Sequence, residues 1–130
     1  MVPARLSIVT IGVRDLAAQR GFYERLGWQR AQPDVGDFSM FALEGARLSL
    51  FPIGSLAADA HVAEDGPGRF RAVTCAIVVD RPEDIGPALE AAEAAGATVT
   101  KRAEKAEWGG WSGYFADPEG NLWELVWIPS

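Results

Sequence analysis

The acidic side chain best placed for chemistry is Glu124, within Leu122-Trp123-Glu124-Leu125 near the end of the chain. Successive side chains of a strand point to opposite faces, so Glu124 points away from Trp123 and Leu125. With those two packed inward, the carboxylate stands on the other face. There it can act as a general base or meet the positive charge of a ligand. A solvated or hydrogen-bonded strand carboxylate is an equal alternative. Aromatic groups supply a second kind of chemistry. Trp108 and Trp111 flank Gly109-Gly110, Tyr114 follows three residues on, and the chain of 130 residues holds five tryptophans. Indole faces beside glycines can stack on a flat ligand or attract a cation, or they can simply close the rim of a core. Phe38, Met40 and Phe51 lie in alternating apolar runs, and are core residues unless they line a binding face.

Other reactive groups are few. The single cysteine, Cys75, has no basic neighbour to activate it and reads as a buried filler. The single histidine, His61, sits in the Gly/Pro/Ala/Asp-rich stretch FPIGSLAADAHVAEDGPGRF. Lys101, Arg102 and Lys105 alternate with Glu104 and Glu107 and read as a solvated loop. The chain has neither a glycine-rich phosphate loop nor a Ser-His-Asp set.

The elements that must position these residues form a repeat. The first half runs LSIVTIGVRDLAAQRGFYERLGW and later FSMFALEGARLSLF; the second runs RAVTCAIVVDRPEDIGPALEAAEAAGA and later SGYFADPEGNLWELV. Each reads as strand, acidic turn, helix ending at glycine, strand, Glu-Gly turn, strand. Val13-Arg14-Asp15 matches Val79-Asp80-Arg81 at an offset of 66, and Phe41-Ala42 with Glu44-Gly45 matches Phe115-Ala116 with Glu119-Gly120 at an offset of 74 to 75. The drift is loop length.

Local signals agree with this division. Leu6, Ile8 and Val13 mark a first strand. Asp15 can cap a helix from Leu16 to Leu26, which Gly27 can stop. A second helix places Ile85, Leu89 and Ala92 on one face and ends at Gly96, with Pro82 and Pro87 confined to its first turn or ahead of it. Asp117-Pro118-Glu119-Gly120 is a turn, since proline fixes φ and glycine permits positive φ, and it leads into a last strand from Leu122 to Trp127. Two modules are expected, over about residues 4–52 and 70–128 of one domain spanning 1–130, joined by a linker over about 53–69. The linker holds one short helical candidate, Ser55 to Ala60.

Composition narrows the class. Apolar residues make up 48% and charged residues 23%, the balance of a globular chain. The net charge of −6 disfavours a nucleic-acid partner and suits a cationic or neutral ligand. No apolar run approaches membrane-spanning length, the opening MVPARLSIV lacks the run of a signal peptide, and one cysteine offers no intramolecular disulfide. A cytoplasmic location without membrane contact is the expectation.

In this order and spacing, VRDL at 13–16, FYERLGW at 22–28, AAGATV at 94–99 and WGGWSGYFADPEGNLWEL at 108–125 resemble the vicinal oxygen chelate superfamily, which includes glyoxalase I, extradiol dioxygenases, fosfomycin-resistance transferases and bleomycin-resistance proteins. The resemblance implies an α+β fold of two βαβββ modules that form paired cup-shaped sheets, usually completed in a homodimer. It also implies a divalent metal held by His and Glu at four positions. In this chain those positions fall on Ile8, on Ser49 or Leu50, on Thr74 and on Glu124. Only Glu124 is a metal ligand of the usual kind, so no metal and no cofactor are expected. Two functions remain open. One is a metal-independent small-molecule binding protein, similar to bleomycin-resistance proteins, that sequesters an aromatic or cationic compound. The other is a lyase or isomerase related to glyoxalase I, with Glu124 as base or residual metal ligand.

Overall fold

A computed structural model describes residues 4–64, 71 and 73–130. The chain divides into two compact units, Met1–Gly66 and Pro67–Ser130. The expected start of the second module, at residue 70, lies outside the described residues.

The first unit runs β1 (Ile8–Val13), α1 (Leu16–Arg25), β2 (Gln29–Arg30), β3 (Ser39–Ala42), β4 (Arg47–Pro52) and α2 (Ile53–Ala60). Asp15 is extended, at φ −116°, and its carboxylate accepts the backbone N–H of Ala18 at 3.0 Å, satisfying one of the donors left open at a helix start. Gly27, at φ +90°, turns the chain away after the helix. The sheet order is β1-β4-β3-β2, with β1 parallel to β4 and the other pairs antiparallel. Ser39, Phe41, Leu48 and Leu50 face α1. The Phe41 ring lies 5.9 Å from that of Tyr23, and Arg20 Nε donates to Ser39 Oγ at 2.7 Å. Phe22, Tyr23, Phe41, Leu48 and Leu50 are fully buried, each side chain contributing about 1.5–3 kcal/mol. The helix α2 begins at Ile53 rather than the expected Ser55. Pro52, with φ already fixed at −55°, stands directly ahead of the first turn in place of a hydrogen-bonding cap.

The second unit repeats the plan: β5 (Thr74–Val78), a 3₁₀ turn (Pro82–Asp84), α3 (Ile85–Ala95), β6 (Thr98–Lys105), β7 (Trp111–Ala116) and β8 (Leu122–Trp127), with sheet order β5-β8-β7-β6. Ile85, Leu89, Ala92 and Ala95 form the buried stripe of α3, and Gly96 at φ +117° ends it. The stripe packs on the sheet at Phe115, Trp123, Leu125 and Gly113. A Cβ on Gly113 would stand 2.7 Å from Leu89 Cδ1, so only glycine allows this close approach. Ahead of β8, Asp117 Oδ1 accepts the N–H groups of Glu119 and Asn121, both at 2.9 Å, while Gly120 takes φ +89°. The Glu-Gly turn of the first unit matches it, with Gly45 at φ +93°.

One expectation fails. Lys101, Arg102 and Lys105 do not lie in a solvated loop but in β6. Val99 pairs with Phe115 and Lys101 with Tyr114, so two steps along β6 oppose a single step along β7. This is a β-bulge, and it moves Lys101 to the face opposite Val99. Among the described residues, no helix is long and apolar enough to cross a membrane.

Candidate functional site

The sheet of the second unit has one face under α3 and one face away from it. Trp123 and Leu125 take the α3 face and are 5% and 4% exposed, so alternation puts Glu124 on the other, where it is half-buried. Tyr114 pairs with Glu124 across β7 and β8, and Lys101 pairs with Tyr114 across β6 and β7. A polar row therefore crosses the sheet. Tyr114 reaches over β8 to Thr74 of β5, hydrogen-bonding both Glu124 and Thr74. Burial, the Glu124 charge and the hydrogen bond to Glu124 all hold the Tyr114 phenol above its ordinary range, while the Thr74 hydrogen bond pulls the other way. A carboxylate only accepts, so the Tyr114 O–H donates to Glu124, which leaves the Thr74 Oγ–H to donate to the Tyr114 oxygen. At the other end of the row, Lys101 Nζ lies 5.8 Å from the Tyr114 ring centroid and donates to Ser112 Oγ at 3.0 Å. Chemically, the row offers a carboxylate able to take a proton, a phenol that donates a hydrogen bond to it, and an ammonium.

The equivalent face of the first unit is different. At the offset that relates the halves, Met40 stands for Tyr114, Ser49 for Glu124 and Ile8 for Thr74. Ser49 is fully buried and its Oγ hydrogen-bonds Thr10 Oγ1. Phe38 and Phe51 pack ring to ring at 6.1 Å on this same face, with Met40 beside Ser49. Phe38, Met40 and Phe51 are thus brought together, as an apolar patch.

The tryptophans are not gathered at the polar row. Trp111 pairs with Trp127 and, by alternation, shares the face of Gly113 and Phe115, behind the sheet from Tyr114 and Glu124. There it lines a depression with Pro82 and Glu83. Trp108 lies in the β6–β7 turn, 59% exposed, with its indole across Gly110: a Cβ there would meet the ring at 1.9 Å. The intervening Gly109 takes φ +97° and closes the turn through its N–H to Ala106 O at 3.0 Å. Cys75 is half-buried on β5, and burial pushes its thiol up, away from reactivity.

The residues at the expected metal positions do not fit a metal. Ile8 has no lone pair, Leu50 faces α1, the hydroxyl of Ser49 is taken up by Thr10, and Thr74 serves Tyr114. Among the described residues, no three His, Cys, Asp or Glu side chains converge. His61 is the C-cap of α2, at φ +60°. Sequence reasoning missed Lys101 and Ser112 as members of this face. Alternation from Val99 puts Lys101 under the helix, and only the bulge brings it round.

The chain matches the family model for the Glyoxalase/Bleomycin resistance protein/Dioxygenase superfamily over residues 5–125. Among solved structures it is similar to a glyoxalase-related enzyme from Fulvimarina pelagi, at 29% identity and a TM-score of 0.85 over 98% of this chain and 90% of that one. It is also similar to a glyoxalase/bleomycin resistance protein/dioxygenase family enzyme from Burkholderia phytofirmans, at 24% identity and a TM-score of 0.81 over 97% and 100% of the two chains. A lactoylglutathione lyase from Agrobacterium tumefaciens shares the fold at 22% identity and a TM-score of 0.74, over 97% and 95%. No curated protein matches the chain. The chain belongs to the glyoxalase/bleomycin resistance protein/dioxygenase superfamily.

Proposed function

We propose that this protein is a metal-independent small-molecule binder that takes an aromatic or cationic compound on the polar row of its second sheet. The observation that carries this reading is the substitution of a hydrogen-bonded row, Thr74–Tyr114–Glu124, for a ligand set. Thr74 and Glu124 occupy two of the four metal positions that the resemblance implies, and Tyr114 ties them together. A carboxylate beside an aromatic ring suits a ligand that is flat, positively charged, or both. The expected result is metal content well below one equivalent per chain in untagged protein, with melting temperature unchanged by chelator. A screen followed by calorimetry should find a ligand whose affinity falls on Glu124→Gln. A full equivalent of Ni, Zn, Mn or Fe, released by chelator with loss of stability, would refute metal independence.

A second reading is favoured by the Tyr114 O–H beside Glu124. A carboxylate base can remove a proton next to a carbonyl, and the Tyr114 O–H, released from Glu124 as that carboxylate takes the proton, can turn to hold the resulting oxyanion. In that case the protein is a lyase or isomerase, as the similarity to a glyoxalase-related enzyme from Fulvimarina pelagi suggests. Exchange of a ligand's acidic C–H in deuterated water, followed by NMR and lost in Glu124→Gln, separates catalysis from sequestration.

A further inference from the structure

The polar row is bipolar, and its cationic end has no role in binding a plain cation. Lys101, Tyr114 and Glu124 stand at directly paired positions on β6, β7 and β8. Adjacent strands are about 4.8 Å apart, so the anchors of the ammonium and the carboxylate are about 10 Å apart across the sheet. The Tyr114 ring lies between. Lys101 is held on this face by the Ser112 hydroxyl at 3.0 Å and by the Tyr114 ring. Its one acidic partner among the described residues, Glu104 at 3.6 Å, is 67% exposed, whereas the Lys101 side chain is 35% exposed. An ion pair so open to water is weak and yields to a better-placed anion. An ammonium has three donors, and the bond to Ser112 uses one.

We propose that Lys101 is the specificity-determining residue of this face, and that the ligand is amphoteric: a flat compound with a cationic group for Glu124 and an anionic group for Lys101. This rests on the proposed binding function and sharpens it, because the net charge of −6 alone would favour a plain cation. The bipolar row reads two groups of opposite sign at a set spacing. A plain anion is repelled by Glu124, and a plain cation leaves Lys101 without a new partner.

The test is calorimetry with three probes of one ring: para-aminomethylbenzoate, benzylamine and benzoate. The amphoteric probe is expected to bind about tenfold or more tightly than either of the others. Lys101→Met should erase its margin over benzylamine, while Lys101→Arg should keep the margin. Lys101→Gln serves where Lys101→Met does not fold. If the probes bind through Glu124 but the Lys101→Met and Lys101→Gln variants keep the margin, the Lys101 assignment falls alone. If no probe binds, or Glu124→Gln leaves benzylamine binding intact, the reading of the face as a ligand site falls with it.

Discussion

At the scale of single residues, the phenol of Tyr114 is the most informative group. Burial and the neighbouring Glu124 charge make the folded protein hold its proton more tightly than the unfolded chain does. The stabilisation this carries is fully present below the unfolded pKa of about 10, and is lost as pH rises through the higher folded value. The melting-temperature advantage of wild type over Tyr114→Phe should therefore be constant near neutral pH and shrink above about pH 10. The raised thiol of Cys75 cancels in that comparison, being present in both proteins. An advantage that grew with pH would show that folding lowers the phenol pKa instead of raising it. Much of this chemistry is legible in the sequence, because Glu124 lies in an unbroken strand where alternation holds. The reach of Tyr114 over β8 to Thr74 is not. It depends on a side-chain path across three strands, and no local pattern encodes it.

At the scale of elements, punctuation is more legible than content. Asp15, Gly27, Gly96 and Gly120 each do locally what their chemistry demands, so helix starts, helix stops and turns fall close to where the sequence predicts them. The failures share a cause. The strand β6, TVTKRAEK, is rich in charge because its outer side faces water and its edge is open, so composition alone points to a loop. The side of the sheet that Trp111 takes is hard to read from the sequence for a related reason. Gly109-Gly110 breaks the chain between the two tryptophans, so the parity of one says nothing about the other. Gly113 permits a direct trial of how α3 seats on its sheet. Gly113→Ala drives a methyl against Leu89 and should cost about 1–3 kcal/mol by overpacking, measured as a shift in denaturant midpoint. In the double variant with Leu89→Ala the combined loss should be less than the sum of the two single losses, as for coupled neighbours.

At the scale of the molecule, the two units are one plan executed twice with different contents. The offsets of 66 and 74 to 75 found in the sequence reappear as equivalent strands and turns. Both β1 and β5 are edge strands of their sheets, and both carry exposed apolar side chains: Ile8 is 46% exposed and Val78 64%. An apolar edge strand is an invitation to further pairing, and the expectation is a homodimer. Light scattering at tens of micromolar should report twice the chain mass. A monomer at that concentration would contradict it.

The bulge in β6 also makes sidedness a matter of counting. In an unbroken strand, odd and even positions belong to opposite faces, and the one extra residue between Val99 and Lys101 inverts that rule at Lys101, until a second shift before Glu104 restores it. Taking Thr100 out would leave Lys101 next to Val99 and still opposite Tyr114, now by plain alternation. Keeping the length and ironing out the bulge would do the reverse. Thr100 would then take the place opposite Tyr114, and Lys101 would pass beneath α3. The face would lose its cation without the loss of a single residue. Among relatives, the ligand preference of this sheet should therefore follow the parity of its first long strand as closely as it follows the identity of any side chain on it.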